Sequence, residues 1–236
     1  MALPRQPAPG SAGWWLRRRA APERRPRRDG LSLDAIVDAA LAVLREHGSD
    51  GLTMRRVADE LGTGAASLYR HVAGREELVA LVVDAVLGRM EPVAPSPAGG
   101  WRAEFETTAR RFRGHLLAHI EVVPLIRSAQ MLGPHSMAAR ETALRTLLDL
   151  GLAPGDAVAA YLAIVHFTVA NVQLEARTGV DEQNRRADLE SLFAAQDVDR
   201  LPHLVAHAGS LATVTGEAEF EFGLAALLDR IQALAG

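Results

Sequence analysis

The chain has 236 residues, 48% of them hydrophobic and 23% charged, as in a soluble globular protein with a buried hydrophobic core. It has no cysteine, which excludes disulfides, thiolate metal sites and cysteine nucleophiles. No apolar run approaches the ~20 residues of a membrane span, and no secretory signal follows the basic start, so we expect a cytoplasmic protein outside the membrane.

The net charge of −3 is distributed unevenly along the chain. Residues 1–30 carry eight Arg and two acidic residues, whereas residues 31–90 carry six Arg and nine acidic residues. Residues 91–236 carry twelve Arg and eighteen acidic residues. A basic segment on an acidic body indicates an anionic polymer as partner. Because residues 1–30 are rich in Pro, Gly and Ala without periodicity, we predict a disordered basic arm. A segment without a function is an equally open interpretation.

From residue 31 onward the sequence pattern is helical. Ser32 is a suitable N-cap for a first helix that Gly48 ends, and Thr53 can cap a second, short helix. A glycine-containing turn follows, and two further helices are predicted over residues 65–72 and 75–89. Residues 31–90 are therefore predicted to form one small helical domain.

A stretch rich in Pro and Gly then precedes a second predicted domain, residues 100–236. No strand pattern occurs in either region, so the predicted fold class is all-α. In the second domain we expect helices over about 101–119, 121–131, 135–150, 155–178, 186–207 and 216–235.

The second and third predicted helices are typical of a helix-turn-helix. Two short helices joined by a short turn with glycine leave the second helix free to enter a major groove of DNA. At helical spacing, Leu68 and Val72 face inward, whereas Ala66, Ser67, Arg70 and His71 face outward. Arg70 can contact a guanine in bidentate fashion, and Ser67 and Tyr69 can hold phosphates.

Residues 32–90 resemble the DNA-binding domain of the Tet repressor family, above all in Gly51-Leu52-Thr53-Met54-Arg55 and Leu68-Tyr69-Arg70-His71-Val72. The resemblance implies a three-helix DNA-binding domain and a homodimeric repressor that binds a palindromic operator and leaves it on binding a small-molecule inducer. A helix-turn-helix regulator without a ligand is the alternative. The implied DNA contacts are Thr53, Arg55, Ala65, Ala66, Ser67, Tyr69, Arg70, His71 and Arg75.

The second region resembles the regulatory and dimerisation domain of the same family, through Trp101, Phe105, Val165-His166-Phe167-Thr168 and Phe220-Glu221-Phe222-Gly223-Leu224. The resemblance implies a ligand pocket formed by Thr108, Phe112, His115, Pro134 and Arg145. It also implies a dimer interface on the last long helices, which carry the apolar residues Val158, Leu162, Val165, Val169, Leu224, Leu227, Leu228 and Ile231.

Ala129 and Leu174 stand where tetracycline-binding members have metal ligands. We therefore expect no metal, no cofactor and an inducer other than magnesium–tetracycline, apolar or amphipathic in character. An enzyme is the main rival interpretation. His115 and His119 have the spacing of a metal pair, but the glutamate of a His-Glu-x-x-His motif is missing. No Gly-x-Ser-x-Gly motif or glycine-rich phosphate loop occurs, so we predict a nucleoid-associated regulator and not an enzyme.

Overall fold

A computed structural model describes residues 7–20, 31–91, 100–176 and 182–235, apart from the side chains of residues 127–129, 182 and 183. Over these residues it contains helices and no strand, so the predicted all-α class is confirmed. The helices are α1 (Ala12–Ala20), α2 (Leu33–Gly51), α3 (Met54–Glu60), α4 (Ala65–Tyr69), α5 (Arg75–Gly88), α6 (Gly100–Ala118), α7 (Val123–Ala129), α8 (Pro134–Asp149), α9 (Pro154–Ala176), α10 (Glu182–Ala194), α11 (Pro202–Ala206), α12 (Ala208–Thr213) and α13 (Gly216–Ala235).

The predicted caps of the first two DNA-binding helices are present. Ser32 Oγ accepts a hydrogen bond from Ala35 N at 3.1 Å, and Thr53 Oγ1 accepts one from Arg56 N at 3.3 Å. Gly48 interrupts α2 with a φ of +66°, a left-handed conformation that glycine adopts at little cost. Side chains of α2 to α5 form a shared core, which continues into α6, α7 and α9, and Ile36 and Leu68 are fully buried in it.

The structure corrects the predicted disorder of the N-terminal arm for residues 12–20, which form α1. Trp14 and Trp15 are partly buried against the core of the DNA-binding domain, and Arg18 forms an ion pair with Glu77 on α5. The basic composition hid this docking because two neighbouring aromatic residues supply enough apolar area to hold a short helix. Residues 1–6 and 21–30 of the predicted arm lie outside the described residues.

The second half is built on α6, α8, α9 and α13, whose apolar side chains form a second core around Phe105, Leu147 and Phe220. The helix predicted over 186–207 is wrong, because α10 ends at Ala194 and two short helices follow. Pro202, which lacks an N–H, begins α11, and Asp197 Oδ1 accepts a hydrogen bond from Asp199 N in the turn before it.

Helix α9 is long and apolar enough to cross a membrane by length and composition, although only 33% of that stretch is buried within the chain. In this fold one side of α9 packs against α6, α8 and α13. Four of the residues predicted for a dimer interface are instead buried in the chain's own cores, because the two helices also contact each other: Val169, Leu224, Leu228 and Ile231.

Candidate nucleic-acid interface and internal cavity

The turn between α3 and α4 presents α4 at the surface. Gly62 has a φ of +63°, and Thr63 N donates to Ala58 O at 2.9 Å, which ties the turn back to α3. Leu68 is fully buried beneath α4 and fixes its orientation. The predicted third helix is shorter than expected, since it ends at Tyr69 and its last turn tightens through a hydrogen bond from His71 N to Leu68 O at 2.9 Å.

The predicted outward face of α4 is exposed or half-exposed in the structure. The side chain of Tyr69 is 54% exposed, and Arg70 Nη2 donates to Ser67 Oγ at 2.6 Å. Arg55, at the start of α3, is 90% exposed with Asp59 beside it at 3.9 Å. The remaining predicted contacts on this helix and its end are Ala65 and His71, both half-buried, and Ala66, which is exposed.

Thr53 and Arg75, two of the predicted DNA contacts, also form hydrogen bonds within the domain. Thr53 caps α3, as described above. Arg75 donates from Nε to Leu52 O at 2.9 Å and from Nη2 to Ser49 O at 2.8 Å. Arg75 thereby binds the first turn of α5 to the connection between α2 and α3, over a separation of more than twenty residues that no local sequence signal reveals.

A cavity of about 130 Å³, partly open to solvent, lies between α5, α6, α8 and α9. Of the five predicted ligand contacts, Thr108 and Phe112 line it. His115 and Pro134 lie outside the lining, and Arg145 is a surface residue paired with Glu141 at 3.7 Å. The rest of the wall is mostly apolar: Leu87, Met90, Phe105, Ala109, Ile164 and Val165.

The polar part of the cavity wall comes from residues that the sequence analysis did not single out. His135, Ser136 and Arg140 lie on α8, and Tyr161 lies on α9. The Arg140 guanidinium is 5.5 Å from the centroid of the Tyr161 ring, and burial raises the pKa of Tyr161 above its ordinary value. At neutral pH this phenol is therefore protonated and can donate a hydrogen bond.

The cavity wall is connected to α5 through a buried carboxylate. Asp84 is 6% exposed, and its Oδ2 lies 3.0 Å from His135 Nδ1. Ser136 N and Oγ each donate to Asp84 Oδ1 at 3.4 Å. A Cβ at Gly133 would lie 2.1 Å from Asp84 Cγ, so the start of α8 can approach α5 this closely only with glycine there.

His115 on α6 and His119, directly after α6, pack beside each other with ring centroids 4.9 Å apart. His115 Nε2 donates to Val86 O at 2.7 Å, which links α6 to α5 as His135 and Ser136 link α8 to it. Burial, together with the neighbouring His115, lowers the pKa of His119. Within the described ranges, no group of three or more His, Asp or Glu could hold a metal ion. Leu174 is exposed, and the side chain of Ala129 lies outside the described residues.

A helix-turn-helix with an exposed second helix, joined to a helical half that contains a mostly apolar cavity, defines a one-component DNA-binding regulator. Residues 36–82 match the family model described as "Bacterial regulatory proteins, tetR family". Residues 93–235 match the model described as "Tetracyclin repressor-like, C-terminal domain". The chain belongs to the TetR family of transcriptional regulators.

Known proteins of this family are similar over most of their length. The HTH-type transcriptional repressor DrrR1 of Streptomyces coeruleorubidus is 36% identical over 215 residues, which cover 86% of this chain and 78% of DrrR1. The class A tetracycline repressor of Escherichia coli is 31% identical over 200 residues, covering 84% and 89%. The structure of ActR of Streptomyces coelicolor in complex with actinorhodin matches with a TM-score of 0.80 and 32% identity, covering 88% and 98%.

Proposed function

We propose that this protein is a ligand-responsive repressor that binds a near-palindromic operator as a homodimer and releases it when a small molecule occupies the internal cavity. The observation that carries the proposal is the contact between His135, in the cavity wall, and the buried Asp84 on α5. The first turn of α5 follows the recognition helix α4 after a connection of only five residues, 70–74. A shift of α5 therefore alters how α4 is presented to DNA.

The size of the cavity supports this coupling. An enclosed apolar cavity of about 150 Å³ accommodates a benzene ring, so a volume of about 130 Å³ has room for roughly one ring. A larger ligand either extends out through the open part of the cavity or displaces α5, α6, α8 or α9. The contacts of His135 and Ser136 with Asp84 and of His115 with Val86 transfer such movement to α5.

The wall chemistry supports a ligand that is mostly apolar with a polar or acidic group. Arg140 has no carboxylate within salt-bridge distance among the described residues, while its guanidinium lies over Tyr161. A ligand acid placed beside Arg140 would gain a charge-assisted hydrogen bond. ActR binds actinorhodin, so a related fold accommodates a small organic molecule.

The outer face of α9 and α13 supports the dimer. Leu174 on α9 and Phe222 on α13 are exposed, Phe222 by 82%. A groove between the two helices is lined by small and apolar residues that include Ala159, Ala163 and Leu227, together with the charged residues Asp156 and Arg230. Two such faces packed about a two-fold axis form a four-helix bundle and place two α4 helices about one turn of DNA apart, ~34–36 Å.

Sedimentation of the wild type and of Leu227→Glu tests the dimer. We expect a dimer for the wild type and a monomer with much weaker operator binding for the variant, because a carboxylate in the groove opposes its burial. Leu192→Glu, at an exposed position on α10, is the matched control and should remain a dimer. A wild-type monomer at micromolar concentration would overturn this part of the proposal.

A thermal-shift screen of neutral and acidic aromatic compounds tests the ligand response. A compound that binds the folded protein raises the melting temperature. If the compound lowers the affinity of the protein for DNA, linkage requires that DNA lowers the affinity of the protein for the compound by the same factor. Phe112→Ala should reduce the response and leave operator affinity nearly intact. Two outcomes would favour a regulator that needs no ligand. One is a compound that binds equally well with and without operator, and the other is a screen in which no compound binds.

A further inference from the structure

We propose that α1 is a fixed part of the DNA-binding surface and that its exposed arginines, Arg17 and Arg19, bind DNA phosphates beside the site covered by α4. The inference rests on the proposed binding of operator DNA. It assigns an interaction surface to a segment outside the helix-turn-helix, which neither the motif nor the matched residues 36–82 include.

Helix α1 is docked on the domain by its aromatic residues. Trp14 and Trp15 pack against the core that α2 to α5 share, with their ring centroids 4.6 Å apart in an edge-to-face arrangement. Large aromatic side chains contribute most to such contacts per residue. Docking removes much of the conformational entropy that a flexible arm would lose on binding DNA, so contacts made by α1 cost less to form.

The ion pair of α1 places it beside the end of the recognition helix. Arg18 Nη1 lies 2.8 Å from Glu77 Oε1, and the guanidinium also lies 5.3 Å from the centroid of the Trp14 ring. The second oxygen of Glu77 accepts a hydrogen bond from Ala73 N at 2.8 Å, in the turn that joins α4 to α5. Arg18 thus neutralises a largely buried carboxylate only a few residues from Tyr69 and Arg70.

Arg17 and Arg19 remain exposed on either side of Arg18, because neighbouring residues on a helix project about 100° apart. In the part of the chain that the structure describes, no carboxylate lies within ion-pair distance of either side chain. Residues 31–90 carry six Arg against nine acidic residues. The domain therefore needs additional positive charge to neutralise phosphates, and α1 supplies it next to α4.

The salt dependence of DNA binding tests the proposal. A duplex is first selected from a random library with the full-length wild-type protein, and its affinity is then measured at several salt concentrations. Each phosphate contact contributes about −0.9 to the slope of log affinity against log salt. With one or two contacts per protomer, Arg17→Ala/Arg19→Ala should flatten the slope by about 1.8 to 3.6 per dimer, equally for selected and random DNA.

The matched control is Arg145→Ala/Arg200→Ala, which removes the same charge from exposed positions in the regulatory half. It should leave the slope unchanged. Docking of α1 is checked in a Trp101→Phe background, where Trp14 and Trp15 are the remaining tryptophans. If Arg17→Ala/Arg19→Ala shifts the emission of these tryptophans toward that of exposed tryptophan, α1 has undocked. The salt dependence is then measured with Arg17→Gln/Arg19→Gln instead.

If α1 stays docked in the variant without Arg17 and Arg19, and the salt slope equals that of the control variant, the inference is overturned. Helix α1 would then have a structural role alone. Failure of the wild type to select any duplex would overturn the proposed function and this inference together. Loss of preference for the selected duplex, with an unchanged slope, would also overturn it, since phosphate contacts carry little sequence information.

Discussion

The DNA-binding half and the regulatory half of this protein form their functional surfaces in different ways. The surface around α4 comes from one short stretch of chain, in which a cap, a glycine turn and a buried leucine hold each other in place. The cavity is assembled by four helices that are spread over about eighty residues. A local surface tolerates changes elsewhere in the chain, whereas an assembled one depends on the packing of every helix that contributes to it.

Helix α5 belongs to both halves. Its first turn carries Arg75 and Glu77, which bind the α2–α3 connection and α1, and its later part carries Asp84 and Leu87 at the cavity. Any communication between the two halves within one chain can therefore use this helix. The predictions that follow separate the halves or break the link between them.

The largest effect is expected from removing a core leucine in each half. Leu68→Ala and Leu228→Ala each delete a fully buried side chain, so each should lower the free energy of unfolding by about 2–5 kcal/mol. At temperatures where both variants stay folded, Leu68→Ala should lose most operator affinity, and Leu228→Ala should mainly alter ligand binding and dimerisation. Urea unfolding and fluorescence anisotropy with labelled DNA measure the two effects. Leu192→Ala, at an exposed position, should change neither.

Arg70→Ala tests base recognition by the local surface. Loss of a bidentate contact with a base should cost ~1–3 kcal/mol on the operator and relax the preference at one base pair in each half-site. Ligand binding to the DNA-free protein should not change, because Arg70 is not among the residues that line the cavity. Equal losses on operator and random DNA would instead show that Arg70 contacts phosphate.

Asp84→Asn tests the link between the halves. The amide retains the size of the carboxylate but weakens the hydrogen bond with His135. The coupling free energy between ligand binding and DNA binding should therefore decrease by about 0.5–2 kcal/mol. The ligand affinity of the DNA-free protein should change little. Titration of the ligand with and without operator measures the coupling. Asp188→Asn, at an exposed position on α10, is the control, and a coupling equal to that of the control would contradict this role.

The smallest effect concerns the pH dependence of stability. His119 has a lowered pKa in the folded state, first because of burial and then because of His115, while Glu121 partly opposes both. Below about pH 6.5 the unfolded chain therefore binds more protons at this position than the folded chain, and the free energy of unfolding falls as the pH falls. His119→Asn should flatten the decline of the melting temperature between pH 7 and pH 5.5. A decline as steep as in the wild type would contradict this role of His119.

By itself the sequence determined the helical class, the caps at Ser32 and Thr53, the turn at Gly62 and the exposure of Arg70, because each depends on residues within a few positions of one another. Only the tertiary structure decided that Arg140 and Tyr161 line the cavity while Arg145 does not, and that Asp84 contacts His135. The tertiary structure also decided that α1 is ordered. Its composition indicates disorder, but Trp14 packs against the core and Arg18 forms an ion pair with Glu77 on α5. Contacts between residues far apart in the chain depend on how whole helices pack, and no local pattern encodes that arrangement.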